Sequence, residues 1–87
     1  MKKAKQVKVL NTPNLDNEIS LKLIASAIKA RRTQLGLDIH TASMLCGVSV
    51  VTLSKIEKAS NGVRFESVLK VLKALGIECK IMNWGRF

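Results

Sequence analysis

The chain has 87 residues, enough for one domain whose core is thin and which a second copy would help to stabilise. It carries 15 Lys and Arg against 6 Asp and Glu, a formal charge of +9, which implies a polyanionic partner, nucleic acid first. Cys46 and Cys79 lie far apart with one His, so there is neither metal-ligand spacing nor a disulfide framework, and no metal or cofactor is implied.

Residues 1–16 read as a basic tail with Lys2, Lys3, Lys5 and Lys8. No apolar h-region follows these lysines, so the start does not read as a signal peptide. No apolar run approaches the roughly 18 residues of a membrane span, so no membrane is expected and the cytoplasm is the default location. Val7 and Val9 alternate with polar residues and permit a short edge strand. Asn11-Thr12-Pro13-Asn14 is a turn-forming linker. The tail is either an arm that touches DNA phosphates or a solvated terminus.

Residues 17–76 read as the helical domain. A first helix is expected over residues 17–36, capped by Asp16 or Asn17 and ended by Gly36. Its apolar face would carry Leu21, Leu23, Ile24, Ala27, Ile28 and Leu35, and Arg31 shares that spacing. Lys29, Arg31 and Arg32 make the last turns basic, which suits the helix dipole and offers charge to a phosphate.

Residues 38–57, DIHTASMLCGVSVVTLSKIE, are the centre of the chain. Asp38 can cap a short helix whose apolar face is Ala42, Leu45 and Cys46. Gly47 can end it with positive φ, Val48 can plug the turn into the core, and Ser49 is a second N-cap. A further helix then runs over residues 50–58 with Leu53 and Ile56 inward. Two short helices in register around a Gly turn make a helix-turn-helix, whose second helix enters the DNA major groove. Lys55 falls on the face away from Leu53 and Ile56, where its ammonium can donate to guanine or to a phosphate. Arg31, Thr33, Thr41 and the tail lysines are candidate backbone contacts. His40 has no neighbouring nucleophile or carboxylate pair and no Gly-rich phosphate loop exists, so an enzyme is not expected.

A loop over residues 58–62 leads to a fourth helix, residues 65–75, with Phe65, Val68, Leu69, Leu72 and Leu75 as its core stripe and Gly76 beyond its end. Lys70 and Lys73 read as its solvated face. Residues 77–87 read as a dimerisation strand and tail. Ile77, Cys79 and Ile81 alternate with Glu78, Lys80, Met82 and Trp84. A lone strand leaves its backbone groups unpaired, so the economical partner is the same strand of a second copy. Met82, Trp84 and Phe87 are apolar groups that either cover the dimer seam or contact a partner.

Residues 24–82 resemble the Xre, or lambda-repressor-like, helix-turn-helix family. The resemblance rests on Ile28, Arg32, Leu35-Gly36-Leu37, Leu45-Cys46-Gly47-Val48-Ser49, Thr52-Leu53-Ser54, Ile56-Glu57 and residues 72–75. Within that family, VRFESVLKVLKALGIECKI looks most like the HipB-type antitoxins. The resemblance implies an all-α fold: a small bundle of four to five helices, with a C-terminal strand forming an intermolecular sheet in the dimer. It implies a homodimer that binds a palindromic, double-stranded operator and represses its own operon, and a HipA-like serine/threonine kinase toxin as partner. It implies that Arg32 pairs with Glu57. It puts Ser49, Val50, Val51, Ser54 and Lys55 at the bases, and adds Ile39, His40, Thr52 and Lys58 to Arg31, Thr33 and Thr41 at the DNA backbone.

Two residues depart from the family's pattern. Ile39 stands where many relatives have Gln, and Val50 and Val51 stand where Gln, Lys or Arg is frequent. Valine can touch a thymine methyl but cannot hydrogen-bond a base edge, so direct readout would be thin and DNA shape would share the task. Two rival readings therefore remain: a plain Xre repressor without a toxin, and a protein-interaction adaptor that kept the fold but lost DNA binding.

Overall fold

The structure is a computed structural model that describes residues 7–85. Its elements are α1 (Leu21–Gln34), α2 (Ile39–Cys46), α3 (Val50–Glu57) and α4 (Phe65–Ala74). No strand occurs among the described residues, and no single helix among them is long and apolar enough to cross a membrane.

Side-chain caps set three of the four helix starts. Asp38 accepts from the Thr41 amide at 2.8 Å, and Ser49 accepts from the Thr52 amide at 3.0 Å. The first helix starts later than its charge pattern suggests. Asn14 Oδ1 accepts from the Asp16 amide at 3.0 Å, which folds residues 14–17 into a turn, and Ser20 becomes the cap, accepting from Leu23 at 3.1 Å.

Three of the helices end alike. After α1, α2 and α4 a glycine takes positive φ, and the apolar residue that follows it turns back onto the core. For α2 the Gly47 φ is 70°, the Val48 amide reaches the Ser43 carbonyl at 3.1 Å, and Val48 packs inward. Leu37 and Ile77 play the same part after Gly36 and Gly76.

The core joins all four helices: Ile28 from α1, Ala42 and Cys46 from α2, Leu53 and Ile56 from α3, and Val71 and Leu72 from α4, closed by Leu75. Several expected core residues lie outside it. α1 turns Ala25, Ile28 and Ala30 inward, which leaves Leu21 and Leu35 exposed. α2 buries Ala42, Ser43 and Cys46, so Leu45 points outward. α4 packs through Val68, Val71, Leu72 and Leu75, a stripe rotated from the expected one, and Phe65 is 68% exposed with Leu69 beside it.

The two segments expected as strands are not strands in this chain. Residues 77–85 have no neighbouring strand among the described residues, so no ladder forms. Ile77 belongs to the end of α4, since its amide donates to the Leu72 carbonyl at 2.8 Å and its side chain packs on the core. Cys79 and Ile81 are exposed. Around Val7 and Val9 the chain pairs with side chains of α1 in place of an edge strand.

Candidate nucleic-acid interface

The axes of α2 and α3 turn through 105° at the Gly47–Ser49 break, within the range of a helix-turn-helix pair. The last residue of α3 is tied to α1. The Arg32 guanidinium on α1 grips Glu57 with two hydrogen bonds, Nε to Oε2 at 2.6 Å and Nη2 to Oε1 at 2.9 Å. Its remaining nitrogen, Nη1, donates to the Leu37 carbonyl at 2.8 Å. The side chains of Arg32 and Glu57 are 10% and 5% exposed. One guanidinium thus ties the end of α1, the α1–α2 turn and the end of α3 together.

With Leu53 and Ile56 buried, the opposite face of α3 carries Val51, Lys55 and Lys58, at i, i+4 and i+7. All three are exposed, Val51 at 64%. Val50 and Ser54 flank this stripe and are half-buried. Ser49 is engaged in its cap: its hydroxyl accepts from the Thr52 amide and donates to Thr52 Oγ1 at 2.9 Å. The Thr52 side chain is half-buried beside this cap. The stripe that faces outward is therefore apolar at its start and cationic in its last turn.

At the start of α2, His40 and Thr41 are exposed. The Asp38 carboxyl is held below its usual range by the Thr41 amide and hydroxyl, which keeps a negative charge at this helix end. Ile39 is half-buried and packs against the core, with its backbone in the first turn of α2.

The fold engages two expected phosphate contacts, burying Thr33 and tying Arg31 by one nitrogen while leaving it exposed. Thr33 is 4% exposed; its hydroxyl donates to the Ala30 carbonyl at 2.9 Å and accepts from the Leu10 amide at 3.0 Å. It has no route to a phosphate. The Nε of Arg31 donates to the Leu75 carbonyl at 2.9 Å, which caps the C-terminal end of α4 and links that helix to α1. The fold thus gives Arg31 a structural partner. Lys70, expected to be solvated, reaches the Gly47 carbonyl at 3.4 Å. Neither link has a short-range signal, because each joins residues far apart in the chain to a backbone carbonyl.

Cys46 is buried under the turn, and burial first, with the Glu57 charge second, pushes its thiol up. Beyond α4, Met82 and Trp84 are exposed, Trp84 at 94%. Phe87, Lys2, Lys3 and Lys5 lie outside the described residues.

Comparison with known proteins returns one family. A family model described as helix-turn-helix matches residues 28–80, from the middle of α1 to beyond the end of α4. No curated protein matches the chain.

Proposed function

The chain belongs to the Xre, or lambda-repressor-like, helix-turn-helix family and is a DNA-binding transcriptional regulator, and from that premise we propose that it is the antitoxin and autorepressor of a toxin–antitoxin operon. In this reading two copies pair through residues 78–83, so that two α3 helices face successive half-sites of a palindromic operator. The neighbouring gene encodes a HipA-like kinase toxin that the dimer binds.

The observation that supports the DNA half is the exposed α3 stripe, Val51, Lys55 and Lys58, on a helix set at 105° to α2 and tied to α1 by the buried Arg32–Glu57 pair. The protein half is supported by the end of the chain. Ile81, Met82 and Trp84 are exposed apolar side chains on a segment with no partner strand. Solvated apolar groups of this size favour burial against protein.

The test has three readouts. Binding to the DNA upstream of the gene should exceed binding to random duplex at about 0.15 M salt. Equal binding removes the repressor role and favours an adaptor. A chain ending at residue 76 should sediment as a monomer where the full chain is a dimer; a truncated dimer refutes the strand pairing. The neighbouring gene product should co-purify with the wild type and less with Trp84→Ala. A neighbour that is no kinase, or that does not bind, leaves a plain repressor.

A further inference from the structure

We propose that the cleft between residues 7–10 and the helix-turn-helix is a binding site for a small organic anion with an apolar body, and that its occupant opposes DNA binding. The second half rests on the DNA-binding reading above.

The cleft encloses about 480 Å³ between three walls. One wall is the end of α1, the second is the segment of Val7, Lys8 and Leu10, and the third is the start of α2 with the flank of α3. Small-molecule sites occupy about 300–1,000 Å³, so this volume suffices for one. Hydrogen bonds to α1 hold the segment in place as a wall. The Leu10 amide donates to Thr33 Oγ1 at 3.0 Å. Gln34 Nε2 donates to the Leu10 carbonyl at 3.0 Å and to Thr12 Oγ1 at 2.9 Å. Both polar groups of the Leu10 backbone are thus met by α1, while its side chain lines the cleft. A wall formed in advance lowers the ordering cost of binding.

The lining sorts by chemistry. Val7, Leu10 and Ile39 are half-buried apolar side chains, and covering them with a hydrocarbon body is favourable. Lys8, Lys29 and Lys58 are exposed cations, one from each wall. Both carboxylates of the cleft are engaged. Glu57 accepts from Arg32 through its two oxygens, and Asp38 accepts from the Thr41 amide. Cations on every side, with no free carboxylate to compete, favour an anion. The apolar walls favour one with a hydrocarbon body, a carboxylate or a phosphate monoester.

The place of the cleft gives binding a consequence. Lys58 belongs both to the cleft and to the exposed stripe of α3. An anion held at Lys58 neutralises a charge that the stripe would offer to a phosphate, and it sets a like charge beside the duplex. Ligand and DNA then weaken each other by the same factor.

The probe is octanoate. Octyl phosphate tests the second head group, octan-1-ol the body without charge, and inorganic phosphate the charge without a body. Titrations of the full chain without DNA are followed by amide chemical shifts. Octanoate or octyl phosphate should saturate with a Kd of about 1 mM, and the tighter of the two identifies the head group. The shifts should centre on Leu10, Lys29, Ile39 and Ser54. Each methylene removed should weaken binding by up to about fourfold. Octan-1-ol and inorganic phosphate should bind more weakly than either amphiphile. Lys8→Gln/Lys29→Gln should weaken octanoate roughly threefold to tenfold with an unchanged melt. Gln34→Ala, at an exposed position outside the core, should also weaken it, because the wall loosens. A second titration uses a short random-sequence duplex, with sodium chloride matched to the added sodium. Saturating octanoate should weaken duplex binding about fivefold or more.

Shifts centred elsewhere, such as on Leu21 and Phe65, overturn the site. So does octan-1-ol binding as tightly as octanoate, or octanoate binding unmoved by Lys8→Gln/Lys29→Gln. Duplex binding indifferent to saturating octanoate overturns the opposition to DNA. A wild type that binds no duplex refutes the DNA-binding reading, and the titration without DNA then decides the site by itself.

Discussion

Removing the Glu57 carboxylate is the sharpest perturbation of this fold. In Glu57→Ala, Arg32 keeps its hydrogen bond from Nη1 to the Leu37 carbonyl but loses both bonds to Glu57. The guanidinium is then a buried cation without a counter-charge, since its side chain is 10% exposed. Breaking such a pair from one side costs about 3–5 kcal/mol. A domain of this length has about 4–13 kcal/mol in total, so the loss removes a large share of its stability. At about 4–8 °C per kcal/mol, the melting temperature should fall by roughly 12–40 °C. Circular dichroism melts of wild type, Glu57→Ala and the double variant Arg32→Met/Glu57→Leu make the measurement. The double variant should lose much less than the single one, because two apolar side chains leave no unpaired charge behind. A Glu57→Ala melt within about 3 °C of wild type refutes the reasoning and makes the pair a solvated contact.

Other perturbations test other parts of the structure. Lys55→Ala, if the ammonium reads a base, should cost about 1–3 kcal/mol on one sequence and relax preference at one position; a phosphate contact would weaken all duplexes and flatten the salt slope by about one. Ala59 sits at φ 55°, just past the end of α3. Ala59→Gly should therefore raise stability by about 0.5–1 kcal/mol in chemical denaturation, the relief of left-handed strain exceeding the added chain entropy. Cys79 is exposed and Cys46 buried, so a thiol reagent should label Cys79 in the folded protein and reach Cys46 only on unfolding; equal rates would refute the burial. The Cys46 thiol is raised in the folded state, so its contribution is fully present below the usual 9.0 and is lost as pH rises through the higher folded value.

The parts of the fold that sequence makes legible are those decided locally. Asp38 and Ser49 cap the helices that follow them, and Gly47 ends α2, because each of these positions is settled by hydrogen bonds within a few residues. The start of α1 was harder to read. Asn14 competes for the chain just before it, and two acidic or amide residues that look like caps become part of a turn. Facing was harder still. Leu45, Phe65 and Leu69 fit a helical period as well as the residues that are buried, and an apolar residue one position round the helix gives the same pattern. Which of two neighbouring stripes is buried is settled by the other helices each one packs against, which its own period does not encode.

The interface divides along the same line. The exposed stripe of α3 follows from its own period, and Lys55 is legible for that reason. The roles of Arg31 and Thr33 do not follow from theirs. Both lie in the basic end of α1 and look like phosphate contacts, yet Arg31 also holds the Leu75 carbonyl at the end of α4 and Thr33 is buried with the Leu10 amide on its hydroxyl. Their partners are 44 and 23 residues away, so no local pattern announces them. The exposed cations near the stripe are Lys55 and Lys58, with Lys8 and Lys29 across the cleft beside α1 and Arg31 still exposed at the end of that helix. Val51 begins the stripe and its side chain has no polar atom to offer a base. Affinity in such a surface is carried mainly by phosphate contacts, and sequence preference by a small number of positions around Lys55 together with the shape of the duplex.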